Sequence, residues 1–168
     1  IDGFAHNEEV ELQPVYEVPY NTADDWLPRW QQYVDGLGQA LADGRRGDAL
    51  ELFMQLTGSS EAEIAGARSS PFWPAMEALA HTLAYDTACL GDGRPPTDRF
   101  AGITQPTLVA TGAEARVPSA PAWVLALDPV ADAIAASIPH AERRTLERQS
   151  HIADPKVVAP LLEQFFGA

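Results

Sequence analysis

The most constraining feature of the sequence is a continuous apolar run at residues 107–111, TLVAT, which directly follows Pro106. A strand that is apolar on both faces is typical of a parallel sheet covered by helices. A helical pattern then begins at Pro129, a short strand pattern covers residues 143–148, and a last helical pattern begins at Pro155. Strands that alternate with helices predict an α/β fold with a parallel sheet.

The N-terminal region contributes one more predicted strand. Residues 1–9 show no clear period, so we expect a loosely held arm. Residues 10–20, VELQPVYEVPY, combine β-branched and aromatic residues with Pro14 and Pro19. Because proline cannot donate to a strand ladder, this composition predicts a short strand that runs out into a loop. The arm and this first strand form a predicted segment over residues 1–21.

Residues 22–100 have a different periodicity. Their apolar residues recur at three- and four-residue steps, which predicts several amphipathic helices. Asn21 or Thr22 could cap the first helix, and Ser59 or Ser60 could start the third. A long apolar helix is expected to end near Leu90. These helices are too many for one crossover connection. We therefore predict a helical insertion above the sheet, followed by a βαβα part at residues 101–168.

Composition excludes several classes of function. The formal net charge is −13, and such an acidic surface repels phosphate backbones, so we expect no binding to nucleic acid. No apolar run approaches the roughly 20 residues that a membrane helix needs, so we expect a soluble, cytoplasmic protein. The single cysteine, Cys89, cannot form an internal disulfide. No clustered His/Cys spacing suggests a metal site, and we expect no cofactor.

Three segments resemble the α/β-hydrolase fold family. VYEVPY at 15–20 resembles the strand end that precedes the cap, QPTLVATG at 105–112 resembles the strand that leads to the acid loop, and 137–166 resembles the closing helix, strand, histidine loop and helix. The resemblance covers about residues 15–168. It implies a partial parallel sheet, the C-terminal half of such a hydrolase, with the helical insertion as its cap.

The resemblance also implies site residues. His151, within QSH after the last strand, occupies the place of the catalytic histidine, which accepts a proton from the nucleophile. The acid that orients this histidine is expected in the loop AEARVPSA, where Glu114 is the only carboxylate. Glu114 as triad acid and Glu114 as a solvated loop charge remain alternatives. In this fold cap aromatics commonly cover an apolar substrate, although helix–helix packing is the other role of such side chains. The predicted pocket residues are Trp26, Trp30, Trp73, His81 and Tyr85.

The nucleophile is the missing part. The sequence contains no G-x-S-x-G motif, and its serines lack the flanking glycines that a nucleophile elbow requires. A nucleophile is therefore expected outside this sequence. Half a sheet also exposes a hydrophobic strand edge. We expect that edge to bind either a missing N-terminal half or a second copy of the chain, as a homodimer, and we do not expect a free monomer.

Three interpretations follow. The chain is part of a hydrolase acting on a small apolar ester, lactone or epoxide, with His151 as base. Alternatively, it is a naturally truncated, non-hydrolytic protein that binds a small apolar molecule or a partner. In the third interpretation the pocket is repurposed for cyclisation or proton transfer, with His81 or His151 as base.

Overall fold

A computed structural model describes residues 12–167 of the chain, so the arm predicted for residues 1–9 lies outside the described residues. The chain divides into two compact units. The first, the α/β unit, runs up to Thr22 and resumes at Pro95, and the second, the helical unit, spans Ala23–Arg94. None of the described helices is long and apolar enough to cross a membrane.

The α/β unit is built on three parallel strands: β1 (Gln13–Tyr16), β2 (Thr107–Gly112) and β3 (Ala141–Leu146). Their spatial order is β1-β2-β3, so β2 is central, and all six of its residues are buried. This confirms the predicted parallel sheet. Strand β3 begins two residues earlier than predicted and also ends two residues earlier, because residues 147 and 148 form the turn that follows it. Since the strands are parallel, their carboxyl ends meet at one edge of the sheet.

The helical unit contains α1 (Trp26–Ala42), α2 (Arg46–Leu56), α3 (Glu61–Arg68), α4 (Trp73–Leu79) and α5 (Leu83–Leu90). The buried face of α1 forms one side of the core of this unit. The buried residues of that core are Trp26, Trp30, Tyr33, Leu37, Ala40, Ala49, Leu50, Trp73 and Ala80.

In the helical unit one predicted boundary is wrong and two are confirmed. Helix α1 begins at Trp26, and neither Asn21 nor Thr22 caps it. The long apolar helix ends at Leu90 as predicted, but a 3₁₀ turn at Ala80–Thr82 breaks it. In that turn the Thr82 hydroxyl donates to the Leu79 carbonyl at 2.8 Å, which offers the backbone an alternative to the regular helix. Ser60 does start α3, with a complete capping box.

The remaining helices, all in the α/β unit, are α6 (Thr97–Phe100), α7 (Ala122–Leu125), α8 (Leu127–Ser137) and α9 (Pro155–Phe166). Helix α8 buries its apolar face, including Val130 and Ile134, in a core cluster that also contains Val109 of β2. The helix begins at Leu127, two residues before the predicted start at Pro129, so Asp128 lies inside its first turn, where it pairs with Arg143 of β3 at 2.5 Å.

Helix α9 begins at Pro155 as predicted, and the Asp154 carboxylate accepts the Lys156 N–H at 2.9 Å. In contrast to α8, none of its residues is buried by the described part of the chain, although the helix is rich in valine, leucine and phenylalanine. Val157 is 38% exposed and Phe166 is 53% exposed. Within residues 12–167, the apolar side chains of α9 are therefore only partly covered.

Candidate active site at the carboxyl ends of the strands

The carboxyl ends of β1, β2 and β3 bring together Glu17, Gly112 and the histidine loop, which we define as residues 149–151. His151 Nδ1 lies 2.7 Å from Glu17 Oε2. The Glu17 side chain is 1% exposed, whereas the His151 side chain is 49% exposed. The pair thus combines a buried carboxylate with an imidazole whose ring is half open to solvent.

Both oxygens of the Glu17 carboxylate have partners. Oε1 accepts the Gly112 backbone N–H at 2.8 Å, and Oε2 faces His151 Nδ1. Because an ionised carboxylate only accepts hydrogen bonds, the His151 proton must lie on Nδ1. The other ring nitrogen, Nε2, then carries the lone pair. This is the tautomer in which histidine can remove a proton from a reacting group.

Glu17 adopts an uncommon backbone conformation. Its φ is +47°, in the left-handed region that costs a residue with a Cβ about 1–2 kcal/mol. Its N–H still donates to the Ala110 carbonyl at 3.1 Å, so the pairing of β1 with β2 continues up to this residue. The chain then turns away from the sheet. Strained residues of this kind cluster at functional sites, where surrounding contacts hold them in place.

Hydrogen bonds to backbone carbonyls of the histidine loop hold it against the ends of β1 and β2. The Tyr16 hydroxyl donates to the Ser150 carbonyl at 2.6 Å, and the Glu114 N–H donates to the Gln149 carbonyl at 3.2 Å. A Cβ on Gly112 would lie only 2.4 Å from the Gln149 carbonyl oxygen. Glycine is therefore required at the end of β2 for the loop to approach this closely.

Two aromatic side chains surround the pair. Trp123, half-buried in α7, packs edge to face against His151 with ring centroids 5.1 Å apart, which restricts rotation of the imidazole. The second aromatic residue is Tyr16, the last residue of β1. Its burial, and next the neighbouring Glu17 charge, raise the pKa of Tyr16 to about 12. The Tyr16 hydroxyl therefore keeps its proton at neutral pH.

Glu114, the carboxylate predicted from the sequence to orient His151, is exposed in the 3₁₀ turn after β2. Its described hydrogen bonds are made by its backbone and not by its side chain: its N–H donates to Gln149, and its carbonyl accepts from the Val117 N–H. The carboxylate on Nδ1 is Glu17, which follows β1. Sequence reasoning missed Glu17, although one signal was available: it lies within residues 10–20, the segment predicted to run from a strand of the parallel sheet into a loop.

The predicted pocket residues all lie in the helical unit. Trp26 and Trp30 are buried, and their indole N–H groups donate to the carbonyls of Gly93 at 3.1 Å and Gly91 at 2.8 Å. Trp73 is buried in the same core. These three tryptophans therefore have the helix-packing role that the sequence left open. A role in lining a substrate pocket stays a prediction.

His81 and Tyr85 are exposed, with ring centroids 5.9 Å apart in an edge-to-face arrangement. His81 Nδ1 lies 3.1 Å from the Ala78 carbonyl oxygen, a contact within one turn of the chain. Their role at a pocket is likewise still a prediction. Among residues 12–167, no group of three or more His, Cys, Asp or Glu side chains is arranged to hold a metal ion.

Comparisons with known proteins identify the fold. No protein-family model matches the sequence, and no curated protein shows significant similarity. An α/β hydrolase from Sphaerobacter thermophilus DSM 20745 is 40% identical, with a TM-score of 0.68, over 94% of this chain and 58% of that chain. A 2-hydroxy-6-oxo-6-phenylhexa-2,4-dienoate hydrolase from Rhodococcus sp. strain RHA1 is 16% identical, with a TM-score of 0.43, over 92% of this chain and 54% of that chain.

The chain thus spans less than two thirds of the length of each of these structures. The likeness to the first of them covers nearly all of this chain at substantial identity. The chain therefore belongs to the α/β-hydrolase fold family.

Proposed function

We propose that the chain is part of a hydrolase for a small apolar ester, lactone or epoxide, with His151 as general base and Glu17 as the acid that orients it. The observation that carries the proposal is the 2.7 Å contact between His151 Nδ1 and Glu17 Oε2. It leaves Nε2 free to take a proton on the half-exposed side of the ring. The nucleophile comes from outside this sequence.

In the proposed reaction on an ester, His151 Nε2 takes the proton of a nucleophilic hydroxyl as its oxygen attacks the substrate carbonyl. The resulting imidazolium then gives this proton to the leaving alkoxide. Its positive charge is stabilised by the buried Glu17 carboxylate. Water repeats the sequence on the acyl intermediate and releases the acid. On an epoxide, an aspartate nucleophile would open the ring to give an ester, and the epoxide oxygen would take a proton from water or from an acid outside this sequence. His151 would then take a proton from the water that hydrolyses this ester, which releases the diol and restores the aspartate.

Ser150, the serine nearest to His151 in sequence, does not fit the role of nucleophile. Its hydroxyl donates to the Ile152 carbonyl at 3.2 Å, and its own carbonyl accepts the Tyr16 hydroxyl. It also lacks the glycine flanks of a nucleophile elbow. This supports a nucleophile from elsewhere.

The α/β unit has surfaces suited to such a second part. Among residues 12–167, strand β1 lies at one edge of the sheet, and no other described strand pairs with its outer side. Helix α9 buries none of its residues against the described part of the chain despite its apolar composition. We propose that an N-terminal half of the same hydrolase, or failing that a second copy of this chain, covers these surfaces.

The test begins with the intact mass of the native protein and its assembly state by native mass spectrometry. We expect a polypeptide or a complex that exceeds the 18.1 kDa of this chain. We also expect labelling by a fluorophosphonate probe if serine is the nucleophile, or turnover of styrene oxide if aspartate is. His151→Gln should abolish turnover. The control His140→Gln changes an exposed histidine that directly precedes β3, at the amino end of that strand and away from the candidate site. It should leave turnover intact.

A second candidate function is a non-hydrolytic module that binds a small apolar molecule or reuses the pocket for cyclisation. The absence of a G-x-S-x-G motif from all 168 residues favours it. This candidate predicts a native mass equal to one or two copies of this chain, with neither probe labelling nor turnover. Under those results calorimetric titration with small apolar ligands would replace the activity assays, and the hydrolase proposal would fail.

A further inference from the structure

Two consecutive residues at the end of β1 bind two consecutive residues of the histidine loop. Tyr16 donates its hydroxyl proton to the Ser150 carbonyl at 2.6 Å, and the next residue, Glu17, holds His151 Nδ1 at 2.7 Å. Each contact joins residues that are 134 positions apart in the chain. The Tyr16 hydrogen bond therefore fixes the distance between the end of β1 and Ser150, the residue that precedes His151.

We propose that Tyr16 is a positioning residue for His151, whose hydroxyl holds the histidine loop at the distance where Nδ1 meets Glu17. The positioning itself is a property of the fold. Its effect on catalysis rests on the proposed function.

The other contacts of the loop do not replace this one. The Glu114 N–H and the Asp154 N–H both bind Gln149, two residues before His151. The Ser150 hydroxyl bonds only within the same stretch of chain, to the Ile152 carbonyl, and Gly112 provides space without an attractive side chain.

His151 is half exposed and Ile152 is 86% exposed. Trp123 packs against the imidazole ring of His151, but no described hydrogen bond joins it to the backbone of the loop at Ser150. Removal of the Tyr16 hydroxyl leaves the Ser150 carbonyl without its donor, and the loop then gains freedom next to the imidazole.

The Tyr16 hydroxyl also remains a hydrogen-bond donor at every pH at which histidine titrates. It donates to the Ser150 carbonyl at 2.6 Å, and the Glu17 carboxylate is a second neighbour of the hydroxyl. Burial and the Glu17 charge raise the pKa of Tyr16 to about 12, so this donor does not titrate in the pH range where histidine changes its charge.

The experiment is nitrogen NMR of the native protein labelled with ¹⁵N-histidine, with His151 assigned from His151→Gln. In the unsubstituted protein we expect His151 in the Nδ1–H form with a slowly exchanging proton. In Tyr16→Phe we expect that proton signal to broaden or vanish and the Nε2–H form to appear, while the signals of His81 and His140 stay in place. Tyr33→Phe is the matched control, since it removes a buried hydroxyl from the helical unit and should leave His151 unchanged.

Activity supplies a second measurement. A shift of the loop by about 1 Å can lower a rate on the order of 100-fold, so Tyr16→Phe should lower kcat roughly 10- to 100-fold with little change in KM. An unaltered Nδ1–H signal and an unaltered kcat in Tyr16→Phe would overturn the proposal. An altered signal in a protein that turns over no substrate would retain the positioning role and reject the hydrolase. If Tyr16→Phe does not fold, nuclear Overhauser contacts between the Tyr16 ring and the His151 amide proton decide the question in the unsubstituted protein, and their absence overturns the proposal.

Discussion

Gly112→Ala is the sharpest test of how the histidine loop is held. An added Cβ would lie 2.4 Å from the Gln149 carbonyl oxygen and 2.8 Å from the Gln149 carbonyl carbon. The backbone of Gly112, with φ −76° and ψ 152°, is one that alanine adopts readily. The penalty therefore comes from lack of space and not from backbone strain.

The size of the effect follows from these distances. The Gln149 carbonyl must retreat by about 0.6 Å before the contact reaches even 3.0 Å. Because it is backbone, the whole loop moves with it, and the 3.2 Å hydrogen bond from Glu114 N–H is stretched. Overpacking of this kind typically costs about 1–3 kcal/mol. We expect the free energy of unfolding to fall by that amount.

Urea denaturation of the native protein measures this change as a lower midpoint with an unchanged slope. Gly102→Ala is the matched control in the same unit, because its Cβ would meet its nearest atom, the Arg99 carbonyl oxygen, at 3.4 Å. A substitution without such a clash should stay within about 0.5 kcal/mol of the unsubstituted protein. If Gly112→Ala is as stable as Gly102→Ala, the histidine loop does not lie against the end of β2.

Three further predictions concern the helical unit. Ser60→Ala removes the capping box with Glu63 and should lower the free energy of unfolding by about 0.5–2 kcal/mol in urea denaturation; no loss would show that the cap is not formed. Gly93→Ala combines a φ of +76° with a Cβ only 2.6 Å from Trp26 Nε1, so we expect a loss of about 1–3 kcal/mol, and an unaltered urea midpoint would contradict the packing of this turn. Burial raises the pKa of Tyr33 to about 12, above the value near 10 of an unfolded chain. The unfolded state then loses its proton first as pH rises, so stability is unaffected below about pH 10 and falls between about pH 10 and pH 12. Thermal melts at stepped pH should show this fall, and Tyr33→Phe should reduce it.

The parts of the fold that the sequence predicted are those with a strong local pattern. Residues 107–111 are apolar on both faces because β2 lies at the centre of the sheet. The start of α9 was readable from Pro155, since proline is favoured at the first position of a helix. The 3₁₀ turn at Ala80–Thr82 was missed, because hydrogen bonds from threonine and histidine side chains to the preceding turn leave the apolar pattern unchanged.

In the candidate site, too, one residue could be predicted from a local pattern and the other could not. His151 could be located from its place after the last strand. Glu17 could not be matched to it, since their contact joins residues 134 positions apart. It depends on the register that pairs Tyr16 with Ala110 and on the left-handed backbone of Glu17. No pattern of neighbouring residues encodes either feature, so the sequence offered Glu114, the only carboxylate in the loop expected to carry the acid.

The most direct test of the account compares Glu17→Gln with Glu114→Gln in the native protein, by kcat/KM on p-nitrophenyl butyrate. In Glu17→Gln an amide donor faces Nδ1 and drives the His151 proton to Nε2, the tautomer that cannot act as base. We predict a loss on the order of 10³- to 10⁴-fold, with Glu114→Gln within a few-fold of the unsubstituted protein. A large loss in Glu114→Gln with little change in Glu17→Gln would contradict the pairing of Glu17 with His151 as the working part of this site.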